Sequence, residues 1–189
     1  MKESGMMFYK ADHLGRLDHF TARHLAVMAV VMALRIALSL IPALNIANLV
    51  QWGFGFIGTG IAASLFGPVY MVLFAVLYDL LDSLIIQAST VFFPGFTVSA
   101  GLAGLIYAVF LWRKKPTLKR IGLATFLVSL FINIGLNTIW LKIMYVEAWR
   151  GLIIPRIVKN AISFPLNTAV LYFILNLPSI RNVIKKFQF

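Results

Sequence analysis

The feature that most constrains this chain is a succession of apolar runs, each near the length of a membrane crossing. The first, Leu25 to Leu44, contains no acidic residue and one cation, Arg35. A spanning helix needs ~20 largely apolar residues, and about six such runs fit into the chain. Composition agrees: the 189 residues are 61% hydrophobic and 12% charged, with mean hydropathy +0.90. A soluble domain is ~45–50% apolar and ~25% charged. The expected fold is an all-α integral membrane protein, a bundle of six transmembrane helices over residues 21–178. A cytosolic lead-in over 1–20 precedes it and a basic cytosolic tail over 179–189 follows. The first run is long enough to span and lacks a signal-peptide pattern, so it is expected to be retained.

Breakers set the expected boundaries. Thr21 caps a first helix that ends near Leu40, before Pro42. Ala43–Gly53 reads as an interfacial loop with Trp52 at headgroup depth. A short second helix covers Phe54–Phe66, and Gly67-Pro68 turns into a third that reaches Ile86. The uncharged aromatic loop Gln87–Phe96 leads to a fourth helix, Thr97–Trp112, and the basic loop Arg113–Arg120 to a fifth, Ile121–Tyr145. Pro155 is read as the first residue of the sixth helix, Pro165 as a kink within it and Pro178 as its end.

The formal charge of +11 would suggest nucleic acid in a soluble protein. Here it is read as membrane topology, with no nucleic-acid partner. Lys2, Lys10, Arg16, Arg23, the Arg113–Arg120 loop, Arg181, Lys185 and Lys186 collect on one side, whereas Ala43–Gly53 and Gln87–Phe96 carry no basic residue. The positive-inside rule then puts both termini in the cytosol of a multi-pass cell-membrane protein. With no cysteine, disulfides and thiolate chemistry are excluded.

Polar groups inside the runs need a reason, because ionisable side chains within a bilayer are costly and tend to be functional. At 100° per residue Ala22, Ala26, Ala29, Ala33 and Ala37 form one stripe of the first helix, with Arg35 pointing away from it. That stripe suits close helix packing, within the chain or with a partner. Asp79 and Asp82 share a face of the third helix, where Asp79 can pair with Arg35 or line a wet cavity. Two carboxylates also admit a membrane-embedded enzyme, although no nucleophile or metal ligand accompanies them. Asn133, Asn137 and Trp140 fall on one face of the fifth helix, with Lys142 opposite. Arg156 and Asn160 share a face of the sixth, with Lys159 at its edge. Given the orientation, these groups lie in the outer half of the membrane, under aromatic loops that include Phe92 and Phe96. The residues themselves imply an outward-facing pocket for an anionic, partly aromatic small molecule.

Several segments carry a resemblance: TARHLAVMAVVMALRIALS, GFIGTGIAASLFGPVY, FFPGFTVSAGLAGLIYAVFL, and LNTIWLKIMY followed by PRIVKNAISFPL. Across Phe20–Leu177 the chain resembles the substrate-binding S components of energy-coupling factor (ECF) vitamin transporters, and FFPGFT and PRIVKN resemble those for folate. The resemblance implies a six-helix binding unit of a prokaryotic membrane, with folate as ligand and no cofactor or catalysis of its own. It also implies contact through Ala29 and Ala33 with a transmembrane T component, and two cytosolic ATPases that use the ATP. No phosphate-binding glycine loop is present in this chain. For folate, Arg156 with Lys159 or Arg35 is expected to hold the glutamate carboxylates. Asn133, Asn137 and Asp79 would meet the pterin, Trp140 with Phe92 or Phe96 would stack on it, and Asn160 is a further ligand contact. Riboflavin, thiamine and pantothenate are the alternative vitamins.

Overall fold

The computed structural model describes residues 21–46, 50–86, 92–144 and 149–189. The lead-in over 1–20 and the first half of the aromatic loop, 87–91, lie outside the described residues. Seven helices follow in order: α1 (Ala22–Leu40), α2 (Gly55–Leu65), α3 (Pro68–Ile86), α4 (Pro94–Leu111), α5 (Leu118–Met144), α6 (Trp149–Asn176) and α7 (Pro178–Phe187). Between α1 and α2 the expected loop contains an antiparallel ribbon of β1 (Leu44–Ile46) and β2 (Val50–Trp52), with Leu44 opposite Trp52.

Four helices begin where the sequence supplies a start. Thr21 is the N-cap of α1, its backbone N–H donating to His24 Nδ1 at 3.3 Å. Pro68, Pro94 and Pro178 each occupy the first turn of α3, α4 and α7, where a missing N–H costs nothing. Pro155 departs from expectation. It lies inside α6, which starts at Trp149 and runs 28 residues. The carbonyl it leaves unpaired, four residues back, belongs to Gly151, which is exposed and uncrowded.

Five of these helices are long and apolar enough to cross a membrane: α1, α3, α4, α5 and residues Ile153–Asn176 of α6. At 1.5 Å per residue the 11 residues of α2 reach only ~16 Å, about half the hydrocarbon thickness. This helix is instead the centre of the bundle, with Ile61, Ala62, Ala63 and Leu65 buried. The outer surface explains the composition. Val30, Ile85 and Phe173 are 68–70% exposed, which water would penalise and lipid tails do not.

Small residues set the tightest contacts. On α4 a Cβ at Gly104 would stand 2.9 Å from Ala75 Cβ and 3.1 Å from the Met71 carbonyl. On α2 a Cβ at Gly58 would meet Arg35 Cα and Cβ at 2.9 and 2.8 Å. These glycines let α3 and α1 approach to backbone contact.

Short connections make successive long helices antiparallel, so the bundle has two distinct ends. The ribbon, the end of α3 and the starts of α4 and α6 share the distal end. Thr21, the α2–α3 and α4–α5 turns and α7 share the terminal end. There the expected basic tail is a helix closed into the bundle. Phe189 N–H donates to the Leu65 carbonyl at 3.0 Å, and its own carbonyl accepts from Gly67 N–H and Trp112 Nε1, both at 2.9 Å. Its ring stacks on His24 with centroids 4.2 Å apart.

Candidate functional site

The expected site residues converge on the distal half. Arg35 lies five residues before the end of α1 at Leu40, Asp79 seven before Ile86, and Arg156 seven after Trp149. They form three linked clusters.

The first joins α5 and α6. Asn133 Nδ2 donates to Asn160 Oδ1 at 3.1 Å, Asn160 Nδ2 donates to the Arg156 carbonyl at 2.9 Å, and Arg156 Nη1 donates to the Asn133 carbonyl at 3.0 Å. Asn160 is buried. The Asn133 carbonyl is accessible to a side chain because Val128–Leu136 is π-helical. A π turn loosens the normal ladder and recurs at functional sites. Asn137 follows directly, its buried Oδ1 without a hydrogen-bond partner among the described residues, as is Ser163 Oγ on α6. The fork of Arg156 has five N–H donors and spends one here, which leaves it able to grip an anion.

The second joins α3, α4 and the end of α5. Asp79 Oδ2 accepts from Thr97 Oγ1 at 2.7 Å, and Trp140 Nε1 donates to Ser99 Oγ at 3.0 Å. Phe93 lies against Trp140, centroids 5.8 Å apart, and against Phe96 at 6.0 Å. Gly95 allows this, since a Cβ there would meet Trp140 Cδ2 at 2.6 Å.

The third lies between α1 and α3. The Arg35 guanidinium carbon stands 3.5 Å from the centroid of the Tyr78 ring. Tyr78 OH is 2.6 Å from Ser39 Oγ and donates to Asp82 Oδ1 at 3.2 Å. Arg35 Nε and Nη1 are buried with no hydrogen-bond partner among the described residues. The expected alternative of an Arg35–Asp79 ion pair is not formed among the described residues; a cation–π contact takes its place.

Some expectations shift. Phe92 and Lys159 are exposed, so Phe93, not Phe92, is the aromatic packed on Trp140. The π segment also rotates the wheel of α5, so Asn133 turns to α6 while Trp140 turns to α4. The sequence reading missed Tyr78, Thr97 and Ser99. Their signal was available, since Tyr78 adjoins Asp79 and Ser99 follows Thr97 by two just after FFPG. Asn167 Oδ1 on α6 accepts from Nε1 of Trp52, the last residue of β2, at 2.7 Å.

The outer faces differ. Ala22, Ala26, Ala29, Ala33 and Ala37 are all exposed, with Leu25 and Val30 among them. The stripe is therefore not used for packing among the described residues of this chain.

A polytopic helical bundle with a polar, aromatic-lined distal half and no phosphate loop describes a membrane substrate-binding subunit. Residues 23–175 match the family described as ECF transporter, substrate-specific component, and the chain belongs to that family. Its members are transporter components, not enzymes. Among its relatives is a protein of Leuconostoc mesenteroides named Folate transporter FolT, 35% identical over 170 residues, 87% of this chain and 90% of that one. Another, of Clostridium novyi and of the same name, is 37% identical over 124 residues, 66% of this chain and 72% of that one. A solved structure described as FolT bound with folic acid is 32% identical, with a TM-score of 0.70 over 82% of this chain and 93% of that chain.

Proposed function

We propose that this protein captures folate for an ECF-type importer. The carrying observation is the likeness to the folic-acid-bound structure, which extends over 82% of this chain and 93% of that chain. The distal end is read as the outer, ligand-entry end. The basic terminal end faces the cytosol, with α2 counted as the sixth helix of the binding unit. Arg156 holds the glutamate carboxylates and the partnerless nitrogens of Arg35 supply a second cationic contact. Asn133, Asn137, Asn160 and Asp79 address the pterin edge, and Trp140 with Phe93 and Phe96 flanks its ring. The exposed face around Ala29 and Ala33 receives the T component, and two ATPases complete the importer and hydrolyse the ATP.

The test is calorimetric titration of the purified protein with folate, riboflavin, thiamine and pantothenate, together with mass spectrometry of any co-purifying small molecule. Stoichiometric binding of folate alone is expected. Tight binding of another vitamin with none of folate would overturn the substrate.

A further inference from the structure

A second concave site lies at the terminal end, away from the three clusters. It is a cavity of about 250 Å³ between the α4–α5 turn, the end of α6 and α7. Five of its lining residues are cations: Arg113, Lys114, Lys115, Arg181 and Lys185. Its floor is apolar, formed by Leu111, Leu175 and Ile184. The only Asp and Glu side chains among the described residues, Asp79 and Asp82, lie at the opposite end of the bundle.

The turn that builds the rim is specified. Arg113 has a φ of 52°, a left-handed conformation that disfavours a residue with a Cβ. It turns the chain back so that Lys114 Nζ reaches the Val109 carbonyl and the Arg113 guanidinium lies over the Trp112 ring at 4.4 Å. Those two cations are thus engaged. The side chains of Lys115, Arg181 and Lys185 have no ion-pair partner among the described residues. On α7, Ile180, Ile184 and Phe187 pack on the core while Arg181, Lys185 and Lys186 are exposed. That pattern places a helix in the plane of a membrane surface.

We propose that this cavity binds the headgroup of an anionic phospholipid from the adjacent leaflet. Cations at the rim match a phosphate, and the apolar floor matches the glyceryl and first acyl carbons below it. Basic pockets between helices at a membrane surface have this chemistry. The cavity lies below the ~300–1,000 Å³ of ordinary small-molecule sites, which favours a headgroup over a larger soluble anion. The lipid bridges α4, α6 and α7, and so holds α7 to the bundle.

The test uses the full-length protein, delipidated and then exposed to equal amounts of phosphatidylglycerol and phosphatidylcholine, with retained lipid read by native mass spectrometry. One phosphatidylglycerol per chain is expected on the wild type. R181Q/K185Q should weaken its retention by roughly tenfold or more, R181K/K185R should keep it, and the charge-matched K119Q/K186Q, which lies off the cavity, should change it little. Equal losses in R181Q/K185Q and K119Q/K186Q would reduce the effect to diffuse surface charge and overturn the site. So would absence of preference over phosphatidylcholine. Full displacement by inorganic phosphate, with phosphate itself bound stoichiometrically, would make it a free-anion site instead. Thermal melting of each variant reports whether it is folded.

Discussion

Arg156 offers the sharpest test of the proposed ligand geometry, because its position gives two separable roles. One Nη1–H holds the Asn133 carbonyl at 3.0 Å within the π segment, and the remaining donors are assigned to glutamate carboxylates. A hydrogen bond to a charged group contributes ~1.5–3 kcal/mol, so Arg156→Gln should weaken folate binding by roughly 10- to 150-fold. Gln is two bonds shorter than Arg, so the bond to the Asn133 carbonyl is lost as well, and that one hydrogen bond should lower stability by only ~0.5–1.5 kcal/mol. The assay is calorimetric titration with folate and with a pterin that lacks the glutamate tail. Only the folate affinity should fall, and the two ligands should approach each other in the variant. An equal loss for both ligands would show that Arg156 acts by supporting α5, and the carboxylate assignment would fail.

Three further outcomes follow from the packing. Gly104→Ala should lower stability by about 1–3 kcal/mol despite the better helix propensity of Ala, because its Cβ would meet Ala75 Cβ at 2.9 Å and the Met71 carbonyl at 3.1 Å; thermal unfolding in detergent measures it. Tyr78→Phe keeps the ring under Arg35, whereas Tyr78→Leu removes it. A cation–π contact of ~0.5–2 kcal/mol makes the Leu variant bind folate roughly 2- to 30-fold more weakly than the Phe variant, and equal affinities would remove Arg35 from the site. Changing Ala29 and Ala33 together to Trp should leave calorimetric folate binding intact and abolish uptake in cells that supply the partner subunits; loss of binding itself would show that the stripe serves the fold.

Much of the fold was legible because bilayer physics writes it plainly. Runs of spanning length and three of the prolines predicted most helix positions to within a few residues. Pro155 misled, since a proline that opens a helix and one that sits in an exposed interior turn look alike without the carbonyl it displaces. The ribbon at Leu44–Trp52 was hidden for a different reason. Three-residue strands are too short to show alternation, and their pairing depends on the bundle that fixes both ends. The site was legible as residue types but not as partners. Asn133, Arg156 and Asn160 were recognised as polar groups out of place, yet the bond from Arg156 to a backbone carbonyl required a π segment that no periodicity announces. For Arg35 the sequence offers Asp79 of the third helix as one possible partner, whereas the structure gives it the face of Tyr78.

The two ends of the bundle differ in how completely they satisfy their polar groups, and that difference bears on function. At the terminal end Phe189 and Gln188 bond the α2–α3 turn, including the Ser64 carbonyl, which accepts from Gln188 Nε2 at 2.7 Å, and Trp112 Nε1 donates in turn to the Phe189 carbonyl. Farther toward the distal end, Arg35 Nε and Nη1, Asn137 Oδ1 and Ser163 Oγ are buried without partners among the described residues. Each neutral group so placed costs about 1–3 kcal/mol, and a charged one more. Lipid cannot repay that cost, since it offers no hydrogen bonds. A chain selected only for stability would replace these side chains by Leu or Ala. Their retention on three different helices, α1, α5 and α6, is accounted for when a ligand with carboxylates and an amino-pyrimidine edge supplies the missing bonds. On the proposed function, binding energy at the distal half is then the stability the free protein forgoes there.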